Sequence, residues 1–430
     1  MKKASKWLVA TVAILLVVAL VAGCSSTPAA SGAPASASEA ASASAAPGAS
    51  TEASATLGVG GQGGETITEP INVDIKTVDF SKVKIGILAS QTKEDGGWTQ
   101  SNYAGFMAMK EKLGLKDDQI QWVEDVPATG PDAANIIESM IADGTNLIFV
   151  TSSSNYDAVV TESQKHPEVN FNFFNGPVTK NLTSYSIRDY ESIFLTGYLS
   201  AKMSSVDTLG YVAANPEASV VRAIDSYAAG AKYANPKAKV KMVWVNSWYD
   251  PAKEKEAANS LIATGVKVLG MQGSSPSVQQ AAEAAGIYSI GFHVDMRQYG
   301  PKANLTSFMW NWEPIYTDIV TRYASGDKTG HNYFWGIDKG CAGIAPINTD
   351  LVKPELIKEV EGLSDKIKSG EVKVFVGPLS DNEGTQLLKD GEVFSDQKLQ
   401  DLGFLLDNVE GALPKADAAG NAVPEASASK

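Results

Sequence analysis

Lys84-Ile85-Gly86-Ile87-Leu88-Ala89-Ser90, then Gln91-Thr92-Lys93-Glu94-Asp95-Gly96-Gly97, then Trp98-Thr99-Gln100-Ser101-Asn102-Tyr103-Ala104-Gly105-Phe106-Met107, reads as a strand, a polar loop and a helix. The first piece is a short apolar run, as expected of a strand covered on both faces in a parallel sheet. In the helix, Tyr103, Phe106, Met107 and Leu113 recur at three- and four-residue spacing, with Lys110 the one polar interruption. In open α/β sheets the loops at the carboxyl ends of strands border the ligand crevice. Trp98 falls in this loop or in the first helical turn, where its own helix stripe offers it no core to fill. It reads as a ligand grip rather than a packing element.

The same alternation continues outward. Strand-like runs at 83–90, 120–124, 147–151, 169–174 and 182–187 alternate with helical patterns near 99–113, 131–143, 155–166 and 191–204. A second series has strands at 209–214, 240–245, 266–272, 288–292 and 305–309, with helices near 217–234, 251–264, 277–285 and 314–325. Strands and helices alternating at this spacing predict parallel sheets with right-handed crossovers. The fold class is therefore α/β, with two similar three-layer lobes. The first lobe is expected over 82–206 and the second over 207–326, with part of 327–380 completing the first. Crossings are placed near Ser204–Thr208 and at the turn Gly326–Asn332. Val372–Phe375, after a helix at 354–369, is a candidate third hinge strand. Two lobes with several crossings form a clamshell, and its crevice is the default site.

The length of 430 residues and 44% hydrophobic content suffice for two or three domains. A formal net charge of -13, with no basic run beyond the first few residues, argues against a nucleic-acid polymer as partner. A base or nucleoside, which carries no phosphate, is not excluded. Cys24 and Cys341 are the two cysteines, so no disulfide framework exists.

Residues 1–24 read as an export signal. Lys2, Lys3 and Lys6 precede the apolar run Trp7–Val21, which ends in Leu20-Val21-Ala22-Gly23-Cys24. Small residues before a cysteine resemble a bacterial lipobox, with cleavage before Cys24 and lipid on its sulfur. The competing reading is an uncleaved membrane anchor. Either way the rest of the chain lies outside the cytoplasmic membrane. Residues 25–66, rich in Ala, Ser, Pro and Gly, read as a disordered tether, and 414–430 as a disordered tail. Gly58-x-Gly60-x-x-Gly63 matches a dinucleotide-binding pattern, but no strand precedes it and no helix follows.

The motif search gives no metal, no cofactor and no catalytic residue. His166, His293 and His331 have no His or Cys at i+3 or i+4, and no CxxC, G-x-S-x-G or Walker-type loop is present. Cys341, between glycine and alanine, reads as a small buried residue. The aromatics carry more information. Trp122 and Trp244 lie inside strand patterns and read as core, whereas Trp98, Trp248 and the pair Trp310 and Trp312 sit in three separate strand-end loops. Together they suggest a flat apolar ligand between indoles. Polar partners come from the same strand ends: Asp189 beside Arg188, Gln272 with Ser274 and Ser275, Asp295, and Asn311 between the tryptophans. Ser101 and Asn102 extend the first loop's contribution. Such groups read a heterocycle edge or sugar hydroxyls. Capping is the alternative role. It is favoured for Ser152–Ser154, while ligand contact is favoured for Asp295.

By this point the chain resembles an ABC-transporter solute-binding lipoprotein, and more closely the basic membrane protein (BMP) family. The matching stretches are Asp95-Gly96-Gly97-Trp98-Thr99, Ile137–Thr151 with its Asp143-Gly144 turn, Val243–Pro251, Lys302–Ser307 leading into Trp310-Asn311-Trp312, and Val374–Leu379. The resemblance spans about residues 83–380. It implies the type I periplasmic-binding-protein clamshell with lobes joined by hinge strands. It also implies an ABC permease as partner, a purine base or nucleoside as ligand, stacking aromatics, and an aspartate at Asp295. Trp310-Asn311-Trp312 replaces a lysine of the better-known nucleoside binders and is closer to a subgroup associated with free bases, so base and nucleoside stay open. The resulting expectation is a non-enzymatic, lipid-anchored, extracytoplasmic receptor. Its alternatives are a sugar-binding protein of the same fold and an exported nucleoside hydrolase using Asp295 or Asp189.

Overall fold

The computed structural model describes residues 65–414. The signal segment with Cys24, the tether up to residue 64 and the tail from residue 415 lie outside the described residues. The strands and helices run β1 Glu65–Ile67, β2 Ile85–Leu88, α1 Trp98–Leu113, β3 Ile120–Val123, α2 Asp132–Ala142, β4 Leu147–Val150, α3 Tyr156–Lys165, β5 Asn170–Phe174, β6 Leu182–Ile187 and α4 Tyr190–Met203. They continue β7 Thr208–Ala213, α5 Ala218–Ala234, β8 Lys239–Trp244, α6 Pro251–Ala263, β9 Val268–Gln272, α7 Ser277–Ala285, β10 Tyr288–His293, β11 Asn304–Trp310, α8 Glu313–Ala324 and β12 His331–Trp335. The chain ends with β13 Ala342–Ile344, α9 Pro354–Lys368, β14 Leu379–Ser380, β15 Gln386–Leu388, α10 Asp396–Gln400 and β16 Val409–Glu410.

These form two seven-stranded sheets and a small hairpin, β14-β15. The first sheet, β1-β12-β6-β5-β4-β2-β3, is parallel throughout. The second, β13-β11-β10-β9-β7-β8-β16, is parallel except where β13 pairs with β11. All four residues of β2 and of β4 are buried, in register from Ile85 opposite Leu147 to Leu88 opposite Val150. This is the double burial that their unbroken apolar runs require. In each sheet the chain goes first to one side of a strand and then to the other: β2 lies between β3 and β4, and β7 between β8 and β9. The carboxyl ends of β2 and β7 are thus the switch points where open α/β sheets place ligands.

Four expectations need correction. Glu65 and Thr66, assigned to the tether, belong to β1, which pairs with β12 from Glu65 opposite His331 to Ile67 opposite Tyr333. The first crossing is not near Ser204–Thr208. Helix α4 packs against α5 and against β9, β10, β11 and β13, so the chain changes lobe between β6 and α4. A Cβ on Gly197 would stand 2.1 Å from the Tyr227 carbonyl oxygen, and one on Gly230 2.0 Å from that of Phe194, so glycine at both positions lets α4 meet α5 backbone to backbone. The return crossing is not at Gly326–Asn332 either. Helix α8 already packs on α1, which puts the crossing between β11 and α8. The apolar pattern of a connecting helix does not say which sheet it will cover. The third crossing lies between β12 and β13, not at Val372–Phe375, which forms no strand; the next residue, Val376, makes an isolated bridge to Val393.

The crossings are bonded to one another. Arg188 N donates to Trp335 O at 2.8 Å, Asn311 N to Cys341 O at 2.7 Å, and Ile337 N to Glu191 Oε2 at 2.7 Å. Burial pushes the Glu191 carboxyl up to about 7. The last described segment is strapped to α5: Arg222 Nη1 donates to Leu399 O at 3.0 Å, and Leu406 N to Asp225 Oδ1 at 2.8 Å. No helix among the described residues is long and apolar enough to cross a membrane.

Candidate functional site

A cavity of about 40 Å³ lies between the lobes at these switch points. The first lobe contributes Ser90 and Gln91 after β2, Trp98, Thr151–Ser153 after β4, and Phe174 at the end of β5. The second contributes Ser219 in the first turn of α5, Trp248 after β8, Gln272–Ser274 at and after β9, Phe292 and His293 ending β10, and Trp310 ending β11.

Trp98 is the first residue of α1 because Asp95 caps that turn. Its carboxylate accepts from the backbone of Gly97 at 2.9 Å, Thr99 at 2.8 Å and Gln100 at 3.0 Å. The indole N–H donates to Thr151 O at 3.1 Å, which fixes the ring and leaves its faces as the contact surface. Around it stand Phe174, Trp310 and His293, with ring centroids at 4.7, 5.2 and 5.3 Å.

The polar groups of the far wall differ from most buried polar atoms in having no partner. The Trp310 indole nitrogen, the Gln272 amide oxygen and both His293 ring nitrogens are buried without a hydrogen-bond partner among the described residues. Such atoms are uncommon in folded proteins, and each costs about 1–3 kcal/mol. His293 sits at φ 59° and stacks on Phe292 at 3.5 Å. Burial pushes its pKa well below the ordinary value, so the ring is neutral and offers one donor and one acceptor. Among the described residues, no Asp, Glu, Lys or Arg lines the cavity. The arrangement suits a neutral, flat molecule with hydrogen-bonding edges.

Of the residues singled out from the sequence, Trp98, Trp248, Gln272, Ser274 and Trp310 meet on the cavity wall. Six others lie elsewhere. Ser101 Oγ and Asn102 Nδ2 both donate to the Trp98 carbonyl oxygen at 2.9 Å, so they brace the turn that carries the indole. Trp312 is fully buried, stacks on Tyr316 at 5.7 Å and points its N–H at Ser101 Oγ, 3.4 Å away. A Cβ on Gly105 would stand 2.5 Å from Trp312 Cβ, so a glycine admits this ring between α1 and α8. Asp189 is buried at the first crossing and accepts from Arg222 Nε at 3.1 Å. Asp295, expected to face the crevice, is exposed and accepts from Arg297 N at 3.0 Å as the cap of a short turn. Asn311 is exposed and donates to Gly340 O at 3.0 Å across the hinge. Trp122 and Trp244, read as core, are half-buried.

His293, Phe174, Ser90, Gln91 and Ser219 were missed. The signal for His293 was available: β10 ends on it, two residues before the carboxylate that drew attention. The capping role favoured for the Ser152–Ser154 run is present, and part of the run also faces the cavity. Ser152 Oγ accepts from Ser154 N at 3.3 Å while Ser152 and Ser153 line the cavity. Ser153 Oγ also donates to Glu217 Oε2 at 3.3 Å, a contact from one lobe to the other. Behind the second wall, Glu254 accepts from Ser275 Oγ at 2.7 Å and from Asp250 N at 3.3 Å. It thereby ties the loop carrying Trp248 to the loop carrying Ser274.

A family profile described as "ABC transporter substrate-binding protein PnrA-like" (Bmp) matches residues 82–376. A purine-binding protein of Brucella abortus (strain 2308) is 35% identical over 339 residues, covering 78% of this chain and 95% of the relative. A protein of Haloferax volcanii provisionally named as an ABC transporter glucose-binding protein is 29% identical, covering 69% of this chain and 74% of the relative. Among solved structures, an ABC transporter solute-binding protein from Conexibacter woesei superposes with TM-score 0.55 at 22% identity, covering 68% of this chain and 98% of that one.

Proposed function

The chain belongs to the Bmp family of ABC transporter substrate-binding proteins, and from that premise we propose that it binds a purine base or purine nucleoside between its lobes without chemical change. The observation that carries this reading is the set of unpartnered groups at Trp310, His293 and Gln272 in an uncharged cavity walled by aromatic rings. A purine supplies a flat π-face for Trp98 and Phe174 and ring and exocyclic atoms for those three groups. The name of the Brucella abortus relative supports the same ligand. In this proposal Trp98, Trp248, Gln272 and Trp310 contact the ligand together with His293 and Phe174. Ser101, Asn102 and Trp312 act through the position of Trp98, and Asp189 acts at the hinge.

The finer setting is also proposed. The run Lys2–Cys24 supports export and lipid attachment at Cys24, which places the receptor outside the cytoplasmic membrane. From there it hands its ligand to a membrane permease. A nucleoside hydrolase would need an acid or base against the glycosidic bond. Among the described residues no carboxylate lines the cavity, Asp189 is held by Arg222, and Asp295 faces solvent.

Isothermal titration with adenine, guanine, adenosine and guanosine tests the reading, and saturable binding of at least one is expected. The sugar reading is favoured by the Haloferax volcanii relative and by the serines of the cavity, Ser90, Ser152, Ser153, Ser219 and Ser274. Glucose therefore belongs in the same titration. Binding of glucose with no response to millimolar purine, in folded protein, would replace the purine proposal.

A further inference from the structure

Away from the cavity, the first lobe gathers three metal-ligating side chains from two helices. Glu138 comes from α2. Glu162 lies on α3, and His166 caps the same helix four residues later, so the two share a face. One ligand atom from each lies within 4.8 Å of the others. His166 Nε2 is 3.2 Å from Glu138 Oε2 and 3.8 Å from Glu162 Oε2. Tetrahedral coordination with bonds of about 2.0–2.1 Å sets ligand atoms about 3.3–3.4 Å apart, so a small cation fits with little movement.

Two further observations point to a ligand rather than to ion pairing alone. Glu162 is 2% exposed, and its Oε2, directed at His166, has no hydrogen-bond partner among the described residues, although Oε1 takes Lys165 Nζ at 2.8 Å. His166 Nε2 is likewise a buried nitrogen without a hydrogen bond. On the other side of the ring, Nδ1 lies 3.2 Å from Glu168 Oε1. With a cation on Nε2, this carboxylate would hold the N–H on Nδ1, as outer partners of metal-bound imidazoles do. The backbone is fixed too. His166 N donates to Glu162 O at 3.0 Å, and His166 O accepts from Asn181 Nδ2 at 3.1 Å.

We propose that Glu138, Glu162 and His166 bind a divalent transition cation of the zinc class. One imidazole and two carboxylates leave a fourth position for water. This donor set suits zinc better than magnesium or calcium, which favour oxygen alone. The site lies at the carboxyl end of α3, whereas the cavity takes Ser152 and Ser153 from before its start, one helix length or roughly 15 Å away. A bound cation would clasp α2 to α3 without touching the cavity. A spacing search for His and Cys passes over the cluster because its other ligands are carboxylates, one of them on a different helix.

The test is isothermal titration of the purified, chelator-treated protein with zinc chloride, and with magnesium chloride as comparison, alongside thermal melts. One saturable zinc per chain, a higher Tm with zinc and no such response to magnesium are expected. Glu138→Gln, at a half-exposed side chain, and His166→Asn should each weaken zinc binding at least tenfold. No saturable zinc uptake by the folded wild type overturns the proposal, and so does uptake unchanged in Glu138→Gln.

Discussion

The Trp98 indole donates to the Thr151 carbonyl oxygen at 3.1 Å, pinning the first turn of α1 to the end of β4. These are the two loops that flank the switch point of the first sheet. The pin turns a tryptophan that could swing with its loop into a fixed plane. Ser101 and Asn102 hold the same turn from behind, and Trp312 packs under it from the crossing between β11 and α8. The plane therefore depends on residues from both sides of the hinge.

Removing that plane should cost binding more than fold. Trp98→Ala is expected to weaken the purine ligand roughly 5- to 150-fold, the range of a lost stacking contact worth about 1–3 kcal/mol. Trp122→Ala is the control. Its ring packs edge-on against Tyr103 and Phe106 at 5.2 and 5.7 Å and lies off the cavity wall. It should lower Tm and leave affinity within about twofold once both proteins are compared below their melting ranges. Equal losses of affinity in the two variants would remove the stacking role.

The buried pair at the first crossing gives a stability prediction. Asp189 and Arg222 are 0% and 1% exposed, with Arg222 Nη2 3.1 Å from Asp189 Oδ1. Arg222→Met leaves an uncompensated buried carboxylate and should cost about 3–5 kcal/mol in urea unfolding, whereas the double variant Arg222→Met with Asp189→Leu should recover much of it. A single variant as stable as the double would show that the carboxylate was not stranded.

How far the sequence carried these conclusions depends on what each residue answers to. Strands such as Leu147–Val150 were legible because double burial writes an unbroken apolar run. Trp98 was legible because a tryptophan outside a helix stripe has no local core. The lobe assignments of α4 and α8 were not legible: both faces of Tyr190–Met203 carry apolar residues, and Gly197 meets the Tyr227 backbone, and Gly230 that of Phe194, only in three dimensions. Asp295 illustrates the converse. A carboxylate at a strand end can serve as cap or contact; the reading favoured contact, and the local turn took it as a cap. His293 escaped because the carboxylate two residues later drew the strand-end reading, although its unpartnered nitrogens are plain once the cavity exists.

Stability should fall as pH rises through the neutral range. Burial pushes Glu254 and Glu191 up to about 7 and Glu217 to about 6, against 4.5 for a free glutamate. A carboxyl whose folded value is raised favours the folded state in its protonated form. That contribution is complete below 4.5 and is lost between 4.5 and about 7. For Glu254, 1% exposed, the loss is at most about 3 kcal/mol. Tm should be higher near pH 5 than near pH 8, and Glu254→Gln should flatten the slope, since the glutamine oxygen can accept from Asp250 N while its amide N–H donates to the Ser275 hydroxyl, without the charge. A variant with the wild-type slope would assign the effect to other groups.

Gln272 offers the sharpest separation of binding from folding. Its Oε1 is buried on the cavity wall with no partner among the described residues, so in the free protein it is a desolvated acceptor. Leaving such an atom unpaired costs about 1–3 kcal/mol, and an apolar group of the same shape avoids that cost. Methionine is close in length and volume. Gln272→Met is therefore expected to raise the Tm of the ligand-free protein while weakening the purine ligand by roughly tenfold or more. Differential scanning calorimetry and isothermal titration on the same preparations read both effects. A residue that merely packs would lose both together, and one that the ligand does not reach would leave affinity unchanged. Either outcome would take Gln272 out of the binding site.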